Sequence, residues 1–351
     1  MIKKVVLLLF FLSFLPLSVF AQEGEVCEGK VVAVLAEKEE NGQVSQKLEV
    51  LVTKGSIKGR KILLETGKIP LVSQIKYQKG DRVLLNYSKN AKGEEVFYLT
   101  DFLRRDVLKV LFSLFVVLVV IVGGSRGVGS LLGMALSFLV IFKFILPQIL
   151  AGRDPVLITI GGSLFVVPFS FYCSHGWNKK TTIALLGTLF SLVLVGLLAR
   201  VFVEAGKLTG YASEEAAFLQ VAKGGVLNMK GLLLAGIIIG ALGVLDDITV
   251  SQAAIVEQLK KAGKMTDREL FARAMAIGKD HIASMVNTLI LVYTGATLPL
   301  LLLFINNPHP FSEVINYEIV AEEIIRTLVA SIGLILAVPI TTFLAASVKE
   351  L

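Results

Sequence analysis

Two adjacent acids, Asp246 and Asp247, stand in "GALGVLDDITVSQ" (residues 240–252), directly after a run built almost wholly of Leu, Ile, Ala and Gly. An ionised carboxylate in an apolar surround is costly unless it is paired or used, so such residues mark an inward-facing pair or a functional site. A second polar group, Lys279-Asp280-His281, follows further along the chain. Carboxylates and an imidazole at one level can bind a cation or pass a proton. Thr249, Ser251, Gln252, Ser284, Asn287 and Thr288 add hydroxyl and amide groups to the set. At helical spacing Asp247 and Ser251 share a face (i, i+4), as do Asp280, Ser284 and Asn287 (i, i+4, i+7). Two aspartates on neighbouring helices could also share a proton as an acid–base dyad. The stretch "LGVLDD", however, departs from the GxGD pattern of intramembrane proteases, and no catalytic residue is assigned. Cys27, Cys173, His175, His281 and His309 are scattered without metal-ligand spacing, and no Walker or dinucleotide fingerprint occurs. No cofactor is expected, and a metal is left unassigned.

A helical hairpin over residues 231–304 must position these groups. Lys261-Ala262-Gly263-Lys264 supplies a break with Gly as the stop, and Thr266 to Glu269 has the spacing of a capping box that opens the next helix. With Gly263 as the hinge, Asp247 lies sixteen residues before it and Asp280 seventeen after. Each is then about 24–26 Å along its helix at a rise of 1.5 Å per residue. The two acids are therefore expected level with Lys279, Asp280 and His281, and Lys279 is the expected ion-pair partner of Asp246 or Asp247. Gly240 and Asn287 match in the same way. Gly236-x-x-x-Gly240 offers a small-residue stripe for close helix packing. With the first helix starting at Gly231, the acids fall near its cytoplasmic end and residues 250–279 are expected to project into the cytoplasm; with the span shifted to about 237–257, they fall near the midplane instead.

The rest of the chain reads as an α-helical polytopic membrane protein with a small N-terminal extracytoplasmic β-domain. Of its 351 residues 54% are hydrophobic and 18% charged. The mean hydropathy is +0.75, and the apolar runs approach the ~20 residues that cross a bilayer, which argues against a soluble globular fold. Residues 1–21 have the form of a signal peptide, with Lys3 and Lys4, an apolar stretch from Val5 to Phe20, and Val19-Phe20-Ala21 at the cleavage point. An uncleaved anchor is the alternative. Residues 22–103 hold about five or six strand-like runs, among them "GKVVAVL", "KLEVLVTKG" and "DRVLLNY", separated by turn residues such as Asn41-Gly42. That is the pattern of a small β-barrel or sandwich.

Residues 104–351 hold seven apolar spans, near 107–123, 128–149, 155–172, 181–203, 231–250, 282–304 and 324–346. With the β-domain outside and the C-terminus in the cytoplasm, the inner segments carry ten Lys and Arg and the outer loops after the first span carry five, in the sense of the positive-inside rule. The net charge of +7 then orients loops and meets anionic lipid, and no nucleic acid is called for. Pro168, Pro299 and Pro339 are expected to kink their helices, and Glu322 and Arg326 to pair at i, i+4.

Two functions fit. One is transport or permeation of an ion or small solute through the polar hairpin site of Asp246, Asp247, Ser251, Lys279, Asp280, His281, Ser284 and Asn287. The other is a non-catalytic membrane scaffold or signalling protein, in which the acids lock the hairpin and the partner is a second copy or another membrane protein. The stretches "GIIIGALGVLDDITVSQAAIVEQL" and "GKDHIASMVNTLILVYTGATLPLLLLF", with "HGWNKKTTIALLGTL" (175–189) and "EEAAFL" (214–219), closely resemble the YibE/F-like family of bacterial multipass membrane proteins. The likeness runs from the small outer domain to the last span. It implies a multi-span protein of the bacterial plasma membrane for which transport is inferred from architecture, and it supplies no catalytic residues.

Overall fold

The computed structural model describes residues 25–40, 43–67, 76–90, 93–305 and 310–348. The signal-type segment 1–21, the turn at Asn41-Gly42 and His309 lie outside them. The chain divides into two compact units between Leu118 and Val119.

Alternating apolar and polar residues, whose side chains point to opposite faces of a strand, build one antiparallel sheet in the first unit. Its strands are β1 (Glu25–Glu40), β2 (Gln43–Lys54), β3 (Lys61–Thr66), β4 (Arg82–Lys89) and β5 (Glu95–Phe102), in the order β3-β2-β1-β4-β5. β1 is central and pairs with both β2 and β4. The outermost strands approach where Arg60, just ahead of β3, makes a two-pronged pair with Glu95 at the start of β5 (3.0 and 2.8 Å). The sheet is therefore curled towards a barrel open along one seam, not split into a sandwich. Cys27, Val31, Leu48, Val50 and Leu85 fill its interior. Buried Gln46 accepts from the Tyr77 N–H (2.8 Å) and donates to the Tyr77 carbonyl (3.1 Å), so one side chain satisfies both backbone groups. Glu28 on β1 is nearly inaccessible and receives the Arg105 guanidinium at 2.8 Å on each oxygen. That charge-assisted pair ties the first helix to the sheet.

The helices are α1 (Arg105–Val140), a π-turn at Ile141–Ile145, α2 (Leu146–Leu150), α3 (Pro155–His175), α4 (Lys179–Ala205), α5 (Glu214–Ala222), α6 (Met229–Ala262), α7 (Asp267–Ala296), α8 (Leu298–Ile305), α9 (Phe311–Val314) and α10 (Glu318–Ser347). Side-chain caps start several of them. Asp154, Asn178, Ser213 and Asn228 each accept a free N–H of the first turn. Thr266 and Glu269 form the complete capping box that their spacing predicts.

Among the described residues five helical segments are long and apolar enough to cross a membrane, or six when α7 and α8 are taken together. Seven apolar runs were read from the sequence, and the difference has two local causes. The runs at 107–123 and 128–149 belong to one 46-residue segment, Arg105–Leu150. It bends at Gly124, whose φ of 56° and ψ of −134° suit only glycine. The run at 282–304 is divided between α7 and α8, which meet at 71°. Pro299 stands in the first turn of α8, where its ring would clash with the carbonyl four residues back in a continuous helix.

The second unit is built on α4, α6 and α10. Val195, Ile237, Ile238, Ala241, Leu245 and Leu334 form its centre. A methyl group on Gly333 would overlap Val195, and one on Gly187 would overlap the Thr341 hydroxyl, so glycine sets how closely these helices approach. The α6–α7 turn does not project freely. Val256, Leu270 and Ala274 pack with Ile183, Ala345 and Ala346, because both arms keep apolar positions at helical spacing beyond the predicted span. Arg326 pairs with Glu323 at 2.7 Å, not with Glu322.

Candidate functional site

A ladder of buried polar side chains runs between α4, α6, α7 and α10. Thr188 of α4 and Thr249 of α6 share a hydrogen bond of 2.7 Å, and the Thr249 hydroxyl also reaches the Asp246 carbonyl at 3.3 Å. The helices α4 and α6 are antiparallel here, so the register that joins Thr188 to Thr249 brings Ser191 level with Asp246, one turn along. The Gln252 amide donates to the Ala274 carbonyl of α7 (3.1 Å) and to the Thr342 hydroxyl of α10 (2.7 Å). Thr342 in turn donates to the Val338 carbonyl (2.7 Å). Gly278 leaves the space for Gln252, since a methyl there would stand 3.0 Å from its oxygen and 2.6 Å from Val338.

Four oxygens of this ladder, Ser191 Oγ, Asp246 Oδ1, Gln252 Oε1 and Thr341 Oγ1, are shielded from solvent without a hydrogen-bond partner. Beyond Gln252 the ladder continues into charge. Glu257 meets Lys180 at 2.9 Å and Lys261 at 2.7 Å. Lys260 donates to the carbonyls of Ala345 (2.8 Å), Ala346 (3.3 Å) and Val348, and so closes the C-terminal end of α10. In the other direction the apolar centre of Leu192, Val195, Ile238, Ala241 and Leu334 takes over. The arrangement offers hydroxyl, amide and carboxylate oxygens in a row, closed by hydrocarbon at one end and bordered by paired charges at the other. Among the described residues no group of three or more His, Cys, Asp or Glu could hold a metal ion.

The residues predicted from sequence divide between two environments. Gln252 lies near Ala274 and Gly278, and Gly240 lies against the Tyr293 hydroxyl (a methyl there would be 3.2 Å from it). The two arms are thus antiparallel, and these contacts bracket the acids. The facing residues differ from those expected. Asp246 is half-buried, whereas Asp247 is exposed. Lys279, Asp280, Ser284 and Asn287 are exposed on α7, and Ser251 and His281 are half-buried. Among the described residues no ion pair joins Lys279 to Asp246 or Asp247. The reason is helical phase: the stripe of α7 that meets α6 and α10 runs through Leu270, Ala274 and Gly278, and Asp280 lies two residues from that stripe, roughly 200° around the helix. Gly240 contacts Tyr293 instead of Asn287, and Gly236 faces open space, so neither forms the predicted stripe contact.

A family model described as YibE/F-like protein matches residues 111–350. The chain belongs to the YibE/F-like family. Every helix of the polar ladder lies inside the matched region, and the sheet precedes it. Comparison with curated proteins and with solved structures gave no match. In this YibE/F-like protein Thr188, Ser191, Thr341 and Thr342 were not singled out by sequence. They stand as one or two hydroxyls within apolar runs, as in "PITTFLAA", and a Ser or Thr in a membrane helix can satisfy itself on its own backbone. The only available signal was spacing, Thr188 to Ser191 at i, i+3, the same interval as Asp246 to Thr249.

Proposed function

We propose that this protein moves an ion or small solute across a bacterial plasma membrane, and that the ladder from Ser191 and Asp246 to Gln252 and Thr342 is the polar part of its path. The observation that carries the reading is the set of four shielded, unpartnered oxygens on α4, α6 and α10. Oxygens with open lone pairs on facing helices give a permeating ion, proton or hydrated solute groups to bind along its way. In the clasp reading the arms are held by hydrogen bonds such as Gln252 to the Ala274 carbonyl, without, among the described residues, the ion pair expected from Lys279. The apolar centre above the ladder then acts as the closed gate.

In this reading the chain crosses the membrane seven times, with Gly124 dividing Arg105–Leu150 into two crossings and α7 with α8 forming one bent crossing. The β-domain is extracytoplasmic after a signal peptide, and the C-terminus is cytoplasmic. Reconstitution in liposomes tests the path. Wild type is expected to pass protons, Na⁺ or K⁺, or one of a panel of small solutes, and Asp246→Asn to lose that flux with its melting temperature unchanged. A wild type that passes none of them, combined with an Asp246→Asn variant that only loses stability, would sink the proposal.

A further inference from the structure

The helix α7 carries a polar face that stays exposed among the described residues. Asp280, Ser284 and Asn287 are all exposed, with Thr288 beside them and Lys279 at the rim. Thr288 meets its own need by donating to the Ser284 carbonyl at 3.0 Å. The Asn287 carboxamide, which has two donors and an acceptor, meets no protein group among the described residues. From Ile282 the helix is apolar, "IASMVNTLILVY", which puts Asn287 about 8 Å inside the apolar stretch. An amide facing hydrocarbon without a partner is costly, and membrane helices turn such groups against another helix.

We infer that this face is covered by a second copy of the chain, with α7 against α7 about a two-fold axis. In a two-fold contact the same patch meets itself, so it must be self-complementary. This one is. Asn287 both donates and accepts, so two copies can form a reciprocal amide pair. Lys279 and Asp280 are adjacent and of opposite sign, so each lysine can meet the other copy's aspartate. A face of a single sign would repel its own copy. Ala283 and Ser284, small and exposed, let the two backbones approach. The pairing is independent of the polar ladder, which lies on the other side of α7.

Disulfide trapping tests it in membranes, on the full chain carrying Cys27→Ser and Cys173→Ser. Asn287→Cys and Ser284→Cys are each oxidised with copper phenanthroline. Val292→Cys, exposed on a different side of α7, is the control. The expected product is a covalent species of twice 38.0 kDa at 287 and 284, formed far more slowly at 292. Asn287→Leu, followed by energy transfer between labelled copies diluted in lipid, is expected to weaken association about three- to twenty-fold. Monomer alone at both positions, equal trapping at 292, an adduct with a different protein, or undiminished association of Asn287→Leu would each overturn the inference. Two trapping positions keep the result readable should one variant fail to assemble.

Discussion

Asp246 and Asp247 are neighbours in sequence, yet the roughly 100° step between successive helical residues gives them different surroundings. Asp246 turns towards the stripe of α6 that carries Thr249 and meets α4, whereas Asp247 is exposed. That difference makes the ladder sensitive to single atoms. Gly187→Leu would drive a side chain into Thr341 and is expected to lower stability by about 1–3 kcal/mol, read as a fall in melting temperature in detergent. Thr188→Val removes the cross-helix hydrogen bond to Thr249 while nearly keeping the shape. Because Thr249 retains the Asp246 carbonyl, the expected loss is only about 0.5–1.5 kcal/mol. A loss as large as that of Gly187→Leu would mean that Thr249 depends on Thr188 alone. The sequence shows where the acids stand along an antiparallel pair of helices, with Asp246 and Asp247 between the Gln252 and Gly240 contacts. It did not reveal which way they point. Rotational phase is set by α4 and α10, distant in the chain, and a helix that is apolar almost all round gives little pattern from which to read a preferred face.

Secondary structure was legible wherever a local rule acts. Thr266 and Glu269 state a helix start in four residues, and the strands of the first unit alternate as half-buried strands must. The breaks inside apolar runs were harder. Gly124 and Pro299 interrupt stretches whose hydropathy is continuous, so runs that look like whole spans contain the turns. Curling of the sheet brings together Arg60 and Glu95, which are far apart in sequence. The Arg60 guanidinium holds the Glu95 carboxyl below its ordinary value of 4.5. A lowered folded value stabilises the fold above the ordinary value, and the contribution is lost as pH falls through the folded one. The difference in protease protection of the β-domain between wild type and Arg60→Ala, measured in the full chain, is therefore expected at neutral pH and should vanish in acid. A difference that persists unchanged in acid would show that the pair contributes through packing and not through charge.

At the scale of the whole molecule, a sheet tied to the first helix by Glu28 and Arg105 precedes a helical unit that belongs to the YibE/F-like family. Composition alone announced the membrane class, because more than half the residues are hydrophobic and charge gathers between the apolar runs. The polar ladder could not be read at that scale, since it exists only where four separate helices converge. The proposed orientation predicts that a cysteine at Lys58, in the β-domain, reacts with an impermeant thiol reagent in intact cells, and that one at Lys264, in the α6–α7 turn, reacts only after the membrane is opened. The reverse pattern would invert the topology. The central claim, that the path runs through the ladder and not across the exposed face of α7, rests on a comparison of Asp246→Asn with Asp280→Asn in liposomes, with flux and melting temperature measured on the same preparations. The account predicts that Asp246→Asn abolishes the wild-type flux while Asp280→Asn keeps it, both melting as wild type does. Flux retained by Asp246→Asn and lost by Asp280→Asn would contradict it.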